Sequence, residues 1–145
     1  MKRFLKILLD IGVYVAIAIG LVWGLPKGLS WALATPYPMA TITSGSMWPM
    51  LKEGDLILIQ SIPKEAIKTG DVVVWRNPKG FTIHRVVKLN ENTLVTRGDA
   101  NFKDDEPVAY ADVIGRTVML GKRPLRIPYV GLISIAANKY GGSVL

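Results

Sequence analysis

Ser44-Gly45-Ser46-Met47-Trp48-Pro49 is the stretch in which a hydroxyl is best placed to react. Glycine relaxes the backbone and proline ends a strand, so Ser46 is expected at a break in regular structure that presents its side chain. Ser-Gly-Ser is also ordinary loop chemistry, and the motif alone does not separate a nucleophile from a surface turn. A serine hydroxyl needs a base to take its proton. The chain has a single histidine, His84, and imidazole titrates near neutrality, which suits it to that task. A base needs in turn a group that fixes its tautomer and stabilises the imidazolium, which a carboxylate does. Residues 98–106, Gly-Asp-Ala-Asn-Phe-Lys-Asp-Asp-Glu, contain four acidic side chains. The plain alternative for them is a solvated loop in which Asp99 and Asn101 make turns. One histidine and a few carboxylates without calcium-loop spacing imply no metal, and no other cofactor is expected. The lack of cysteine excludes a thiol nucleophile and a disulfide framework.

The surroundings of His84 are read from strand alternation. Phe81, Ile83, Val87 and Leu89 fall on one face of a strand, and Thr82, His84 and Lys88 on the other. His84 is therefore expected off the main apolar face, turned either to solvent or to a site.

The elements that must position these residues begin with a long apolar segment. Residues 7–23 carry one charge, Asp10, and apolar character resumes after Pro26-Lys27 as far as Ala34. A bilayer span needs about 20 mainly apolar residues, so the segment is read as a transmembrane helix. Lys2, Arg3 and Lys6 precede it, which places the N-terminus in the cytoplasm and the remainder outside or in a lumen. A cleaved signal peptide is the competitor, with Ala32-Leu33-Ala34 imitating a cleavage site, but the run exceeds an h-region of about 7–15 residues. Asp10 is placed to pair with Lys6 one turn away. The net charge of +7 is scattered, without runs, which favours attraction to a membrane surface over nucleic acid.

From Met39 onward, short Val-, Ile- and Thr-rich runs alternate with Gly-Asp turns. Strands are expected over residues 39–43, 55–61, 71–76, 81–89, 93–96 and 112–120, with one helical turn near Pro63 to Lys68. The chain thus reads as mainly β: an N-terminal transmembrane helix followed by a small antiparallel coiled or barrel-like β domain. The expected divisions are 1–34 for the anchor, 35–128 for the β domain and 129–145 for an apolar C-terminal segment. Residues 129–137 are too short to span a bilayer and fit either a core-closing strand or helix or a segment lying in the membrane interface. Met47, Trp48, Met50 and Leu51 fit either interface contact or core packing.

Four blocks in this order resemble type I signal peptidases of the archaeal and endoplasmic-reticulum branch: Ser44-Gly45-Ser46-Met47-Trp48-Pro49, Gly54-Asp55-Leu56-Ile57, His84-Arg85-Val86, and Gly98-Asp99-Ala100-Asn101 with Asp104-Asp105. Arg126-Ile127-Pro128-Tyr129-Val130-Gly131 is similar to that branch as well. The resemblance implies a serine–histidine variant of an enzyme whose bacterial branch uses a lysine base. It implies Ser46 as nucleophile, His84 as general base and Asp105 as orienting carboxylate, with Asp99 as a second important aspartate that competes for the orienting role. Ser44 and the Ser46 backbone N–H would form the oxyanion hole. The substrate would lie extended beside Met39, Thr41 and Thr43, with shallow pockets admitting small side chains. The implied partners are preprotein signal peptides and the lipid membrane, with further signal peptidase subunits or translocation machinery as additional candidates, and no nucleic acid. About 12 residues separate Ala34 from Ser46, so the nucleophile lies at most roughly 40 Å from the membrane exit. Two other classes compete: a self-cleaving serine–lysine protein of related β fold, and a non-catalytic membrane-tethered β module.

Overall fold

The computed structural model describes residues 2–140. Helix α1 (Lys2–Ile19), a π-helical turn (Gly20–Gly24) and helix α2 (Leu25–Ala32) form one continuous rod. Pro26 explains the widened turn. Its ring would collide with a carbonyl one turn back and it has no N–H to donate. The backbone instead takes a wider register, in which the Leu25 N–H bonds to the Gly20 carbonyl. No residue of the rod is buried, and its mean hydropathy and length suffice to cross a bilayer.

After the rod come β1 (Met39–Thr41), β2 (Leu56–Gln60), β3 (Val72–Asn77), β4 (Gly80–Leu89), β5 (Thr93–Arg97), β6 (Val108–Ala109), β7 (Val113–Thr117), β8 (Met119–Leu120), β9 (Arg123–Pro124) and β10 (Arg126–Ile127), then helix α3 (Gly131–Tyr140). The main sheet is antiparallel in the order β1-β2-β7-β3-β4-β5-β6, with β10 also on β2, and β8 and β9 form a separate hairpin. It does not close into a barrel. The segment read as one strand over 112–120 divides into β7 and β8. Residues 64–66 make a single tight turn, with Pro63 as its N-cap.

Both faces of the sheet are covered. Ile42, Met47, Leu51, Ile57, Ile59, Val72 and Val74 form one core cluster, and Ile67, Val73, Val86, Leu94 and Val108 the other. This is why β3 carries the unbroken run Val72-Val73-Val74. It also changes the reading of β4. His84 faces Val73 across the ladder and is 8% exposed, whereas Phe81 and Leu89 on the supposed apolar face are exposed. A register shift between Val86 and Lys88 breaks the simple alternation, and with two buried faces alternation no longer separates core from solvent. Met47 and Leu51 belong to the core, while Trp48 is 59% exposed.

The end of the rod is tied to the sheet. The Ser61 N–H donates to the Leu33 carbonyl (2.9 Å) and the Ile59 N–H to the Pro38 carbonyl (2.9 Å). At the other end of the chain, α3 packs on β1, with Thr41 and Ser134 hydroxyls 2.8 Å apart and the Gly131 N–H on the Gly54 carbonyl (3.0 Å). A Cβ at Gly131 would lie 2.5 Å from the Thr41 methyl, so the close approach requires glycine there.

Candidate active site

Three separate segments meet at one end of the sheet. Ser46 lies in the irregular loop after β1, which turns through a cis Trp48–Pro49 peptide and is anchored from inside by Met47 and Leu51. His84 is held mid-strand in β4, and Asp105 follows β5, its N–H donating to the Thr96 carbonyl at 2.8 Å. His84 Nε2 lies 3.1 Å from Ser46 Oγ, and His84 Nδ1 lies 2.6 Å from Asp105 Oδ2. With a proton on Nδ1, the ring donates to the carboxylate and leaves Nε2 free to accept the serine proton. The chain hydroxyl–imidazole–carboxylate is therefore continuous.

The competing aspartate is engaged elsewhere. Asp99 receives two hydrogen bonds from Arg85, Nε to Oδ1 and Nη2 to Oδ2, each 2.7 Å, and Arg85 Nη1 donates to the Gly70 carbonyl at 2.8 Å. Hydrogen bonding to Asp99 raises the Arg85 pKa above its ordinary value, with the carboxylate's charge adding to this and burial opposing it. The bidentate pair pins the loop that follows β5 to β4.

That loop also holds the Ser46 backbone. The Ala100 N–H donates to the Ser46 carbonyl at 2.9 Å. Gly98 lies so close beneath that a Cβ there would stand 2.6 Å from the same oxygen. Sequence reasoning grouped Gly98 and Ala100 with the acidic loop but gave them no such contact. It also passed over Thr96, which is fully buried and donates through Oγ1 to Asp105 Oδ2 at 2.5 Å. The oxygen that faces the imidazole thus accepts a second hydrogen bond and cannot rotate away without losing both. The visible signal was a hydroxyl on β5 just ahead of Gly98-Asp99.

Ser44 Oγ lies 3.2 Å from Ser46 Oγ, on the open side of the loop. From there a groove of about 750 Å³ runs between β1 and the start of β4, lined by Met39, Thr41 and Thr43 on one wall and Phe81, Ile83 and His84 on the other. Among the described residues, β1 pairs only with β2, and β4 from Gly80 to His84 pairs only with β3. Both walls therefore present unpaired strand edges, able to accept an extended chain between them. The β4 edge was not foreseen from sequence. Among the described residues no cluster of His, Cys, Asp and Glu is arranged to hold a metal ion.

A two-faced antiparallel sheet carrying a hydroxyl–imidazole–carboxylate chain beside an open groove defines a peptidase framework, and residues 25–118 match the family model described as Peptidase S24-like. The chain is 34% identical over 125 residues to the signal peptidase complex catalytic subunit of Colletotrichum graminicola, covering 79% of this chain and 72% of that protein. It is 36% identical over 125 residues to the corresponding subunit of Sclerotinia sclerotiorum, with the same coverage, and 31% identical over 130 residues to one from Homo sapiens, of which it spans 64%. The chain belongs to the type I signal peptidases of the archaeal and endoplasmic-reticulum type.

Proposed function

We propose that this chain is a membrane-anchored serine endopeptidase that removes signal peptides from preproteins by cutting after small residues. The observation that carries the reading is the contact chain from Ser46 through His84 to Asp105, opening onto a groove between two strand edges. Ser46 Oγ attacks the scissile carbonyl while His84 Nε2 takes its proton, and Asp105 holds the imidazolium in place. The developing oxyanion accepts hydrogen bonds from the Ser46 backbone N–H and the Ser44 hydroxyl. A single donor of this kind is worth about 10²–10³ in rate. His84 then gives its proton to the leaving amine, and water resolves the acyl-enzyme by the same route.

The substrate adds a strand beside Met39, Thr41 and Thr43, using main-chain hydrogen bonds for affinity and shallow pockets for selection. The rod crosses the membrane with Lys2, Arg3 and Lys6 on the cytoplasmic side, so the groove opens on the far side, beside emerging signal peptides. The preprotein and the bilayer are the partners this reading requires. Asp99 serves as the Arg85 anchor of the loop, and Asp105 orients the base.

The test is cleavage of a preprotein bearing a small-residue cleavage site by the full chain in lipid vesicles, with the new N-terminus sequenced. Release of a mature chain that begins just after the small residue supports the reading. An intact preprotein, or cuts scattered along an unfolded one, contradicts it.

A further inference from the structure

The end of the groove away from Ser46 plays no part in the hydrolysis, yet it is built. Its walls there are Met39 on one side and Lys79, Phe81 and Thr82 on the other. The Phe81 and Tyr37 rings lie 5.0 Å apart at 56°, and they remain 48% and 39% exposed. Phe81 lines the groove with Tyr37 packed against it, so apolar surface stays uncovered there. Asn77 fixes the hairpin that carries Phe81, its Oδ1 accepting the Lys79 N–H (2.7 Å) and its Nδ2 donating to Thr82 Oγ1 (2.7 Å). Tyr37 follows closely on the helix end at Ala32, so the platform stands where the chain leaves the apolar rod.

Register gives its distance from the chemistry. Both β1 and β4 run toward the catalytic end, and a strand advances about 3.3 Å per residue. Phe81 therefore lies about 10 Å back from His84 along β4, and Lys79 sits in the turn just before that strand. A substrate whose scissile carbonyl meets Ser46, and whose earlier residues fill the groove, brings the fourth residue before the scissile bond level with Phe81. Residues before the bond belong to the part that emerges from the bilayer, which is the direction in which Tyr37 lies.

We propose that Phe81 and Tyr37 form a further specificity subsite, which takes a large apolar side chain at the fourth or fifth residue before the scissile bond, with Lys79 at its rim opposing a basic residue there. The inference rests on Ser46 being the nucleophile. An apolar side chain laid on the rings removes both from water, whereas a lysine or arginine at that level meets like charge beside Lys79.

The experiment uses a set of preproteins that differ only at those two positions, carrying Leu, Gly, Asp or Lys, cleaved by the full chain in vesicles. Leu is expected to exceed Gly and Lys by about tenfold in kcat/KM, the discrimination an apolar pocket commonly provides. Phe81→Ala is expected to reduce that preference to less than about twofold, while leaving the demand for a small residue at the scissile bond intact. Lys79→Glu is expected to recover cleavage of the Lys substrates. Equilibrium binding of the same set to the Ser46→Ala chain reads the subsite apart from catalysis, so loss of the peptidase reading and loss of the subsite are told apart. Equal cleavage and binding across the set, or an even loss for every substrate in Phe81→Ala, overturns the proposal.

Discussion

Two corners of the β domain each contain an aspartate gripped by a basic side chain, and they differ in what lies next to the pair. At one, Asp55 is buried, accepts the Lys52 N–H (2.8 Å), and receives Arg126 Nη1 at 3.0 and 2.8 Å. The Arg126 pair ties β10 to the turn before β2, and the segment beyond β10 closes on the same turn through Gly131 and Gly54. At the other, Asp105 holds His84 at 2.6 Å, and the far ring nitrogen reaches a hydroxyl that faces an open groove. The members of each pair come from separate sequence blocks, 54–57 with 126–131 and 84–86 with 98–105. The first holds β10 against the turn before β2 and touches no hydroxyl among the described residues. The second has a free end, and a free end beside unpaired strand edges is what turns a hydrogen-bonded pair into a candidate catalyst.

Substitutions at the two corners separate these roles. Asp105→Asn is expected to lower kcat by about 10⁴, because an amide no longer holds the productive tautomer, while the thermal midpoint changes little. A steady-state assay beside a melting curve checks both halves. Asp55→Ala is expected to cost about 1–3 kcal/mol of stability by removing the buried acceptor of the Arg126 and Lys52 N–H hydrogen bonds, with activity falling only as the folded fraction falls. If activity at a temperature where the chain stays folded drops as far as in Asp105→Asn, the two corners are not distinct. Ser44→Ala is expected to lower kcat by about 10²–10³ with KM nearly unchanged, as for loss of an oxyanion donor. A rise in KM alone would make Ser44 a binding residue instead. The smallest effect sharpens the picture further: Thr96→Val removes the second hydrogen bond on Asp105 and is expected to cost about tenfold in kcat. Thr96→Ser is expected to restore most of that activity.

The path of the chain was legible where a residue type can do only one thing. A single histidine, a serine between Gly45 and Pro49, and a long apolar run after three basic residues each narrowed the choices sharply. The alternation across β4 misled, because both faces of this sheet are buried and the register shifts after Val86. Of residues 129–137, open between a core-closing strand or helix and a segment in the membrane interface, 131–137 fall in helix α3, whose first glycine docks on the β1–β2 turn; that docking depends on a partner more than seventy residues away in sequence and leaves no local signal. Composition gave no means of choosing between Asp99 and Asp105. In the structure the Arg85 guanidinium takes both oxygens of Asp99, and the imidazole meets Asp105. Thr96, buried and remote from the motif serine, is visible only once β5 is laid beside the loop it supports.

The most direct test of the central claim is a double-mutant cycle on the cleavage rate, comparing the parent with Ser46→Ala, His84→Ala and the two together in the same vesicles. If the hydroxyl and the imidazole act as one unit, each single change removes about 10⁶ in kcat and the double variant is no slower than either. Losses that multiply, or a His84→Ala chain that retains most of the parent's rate, would contradict the account.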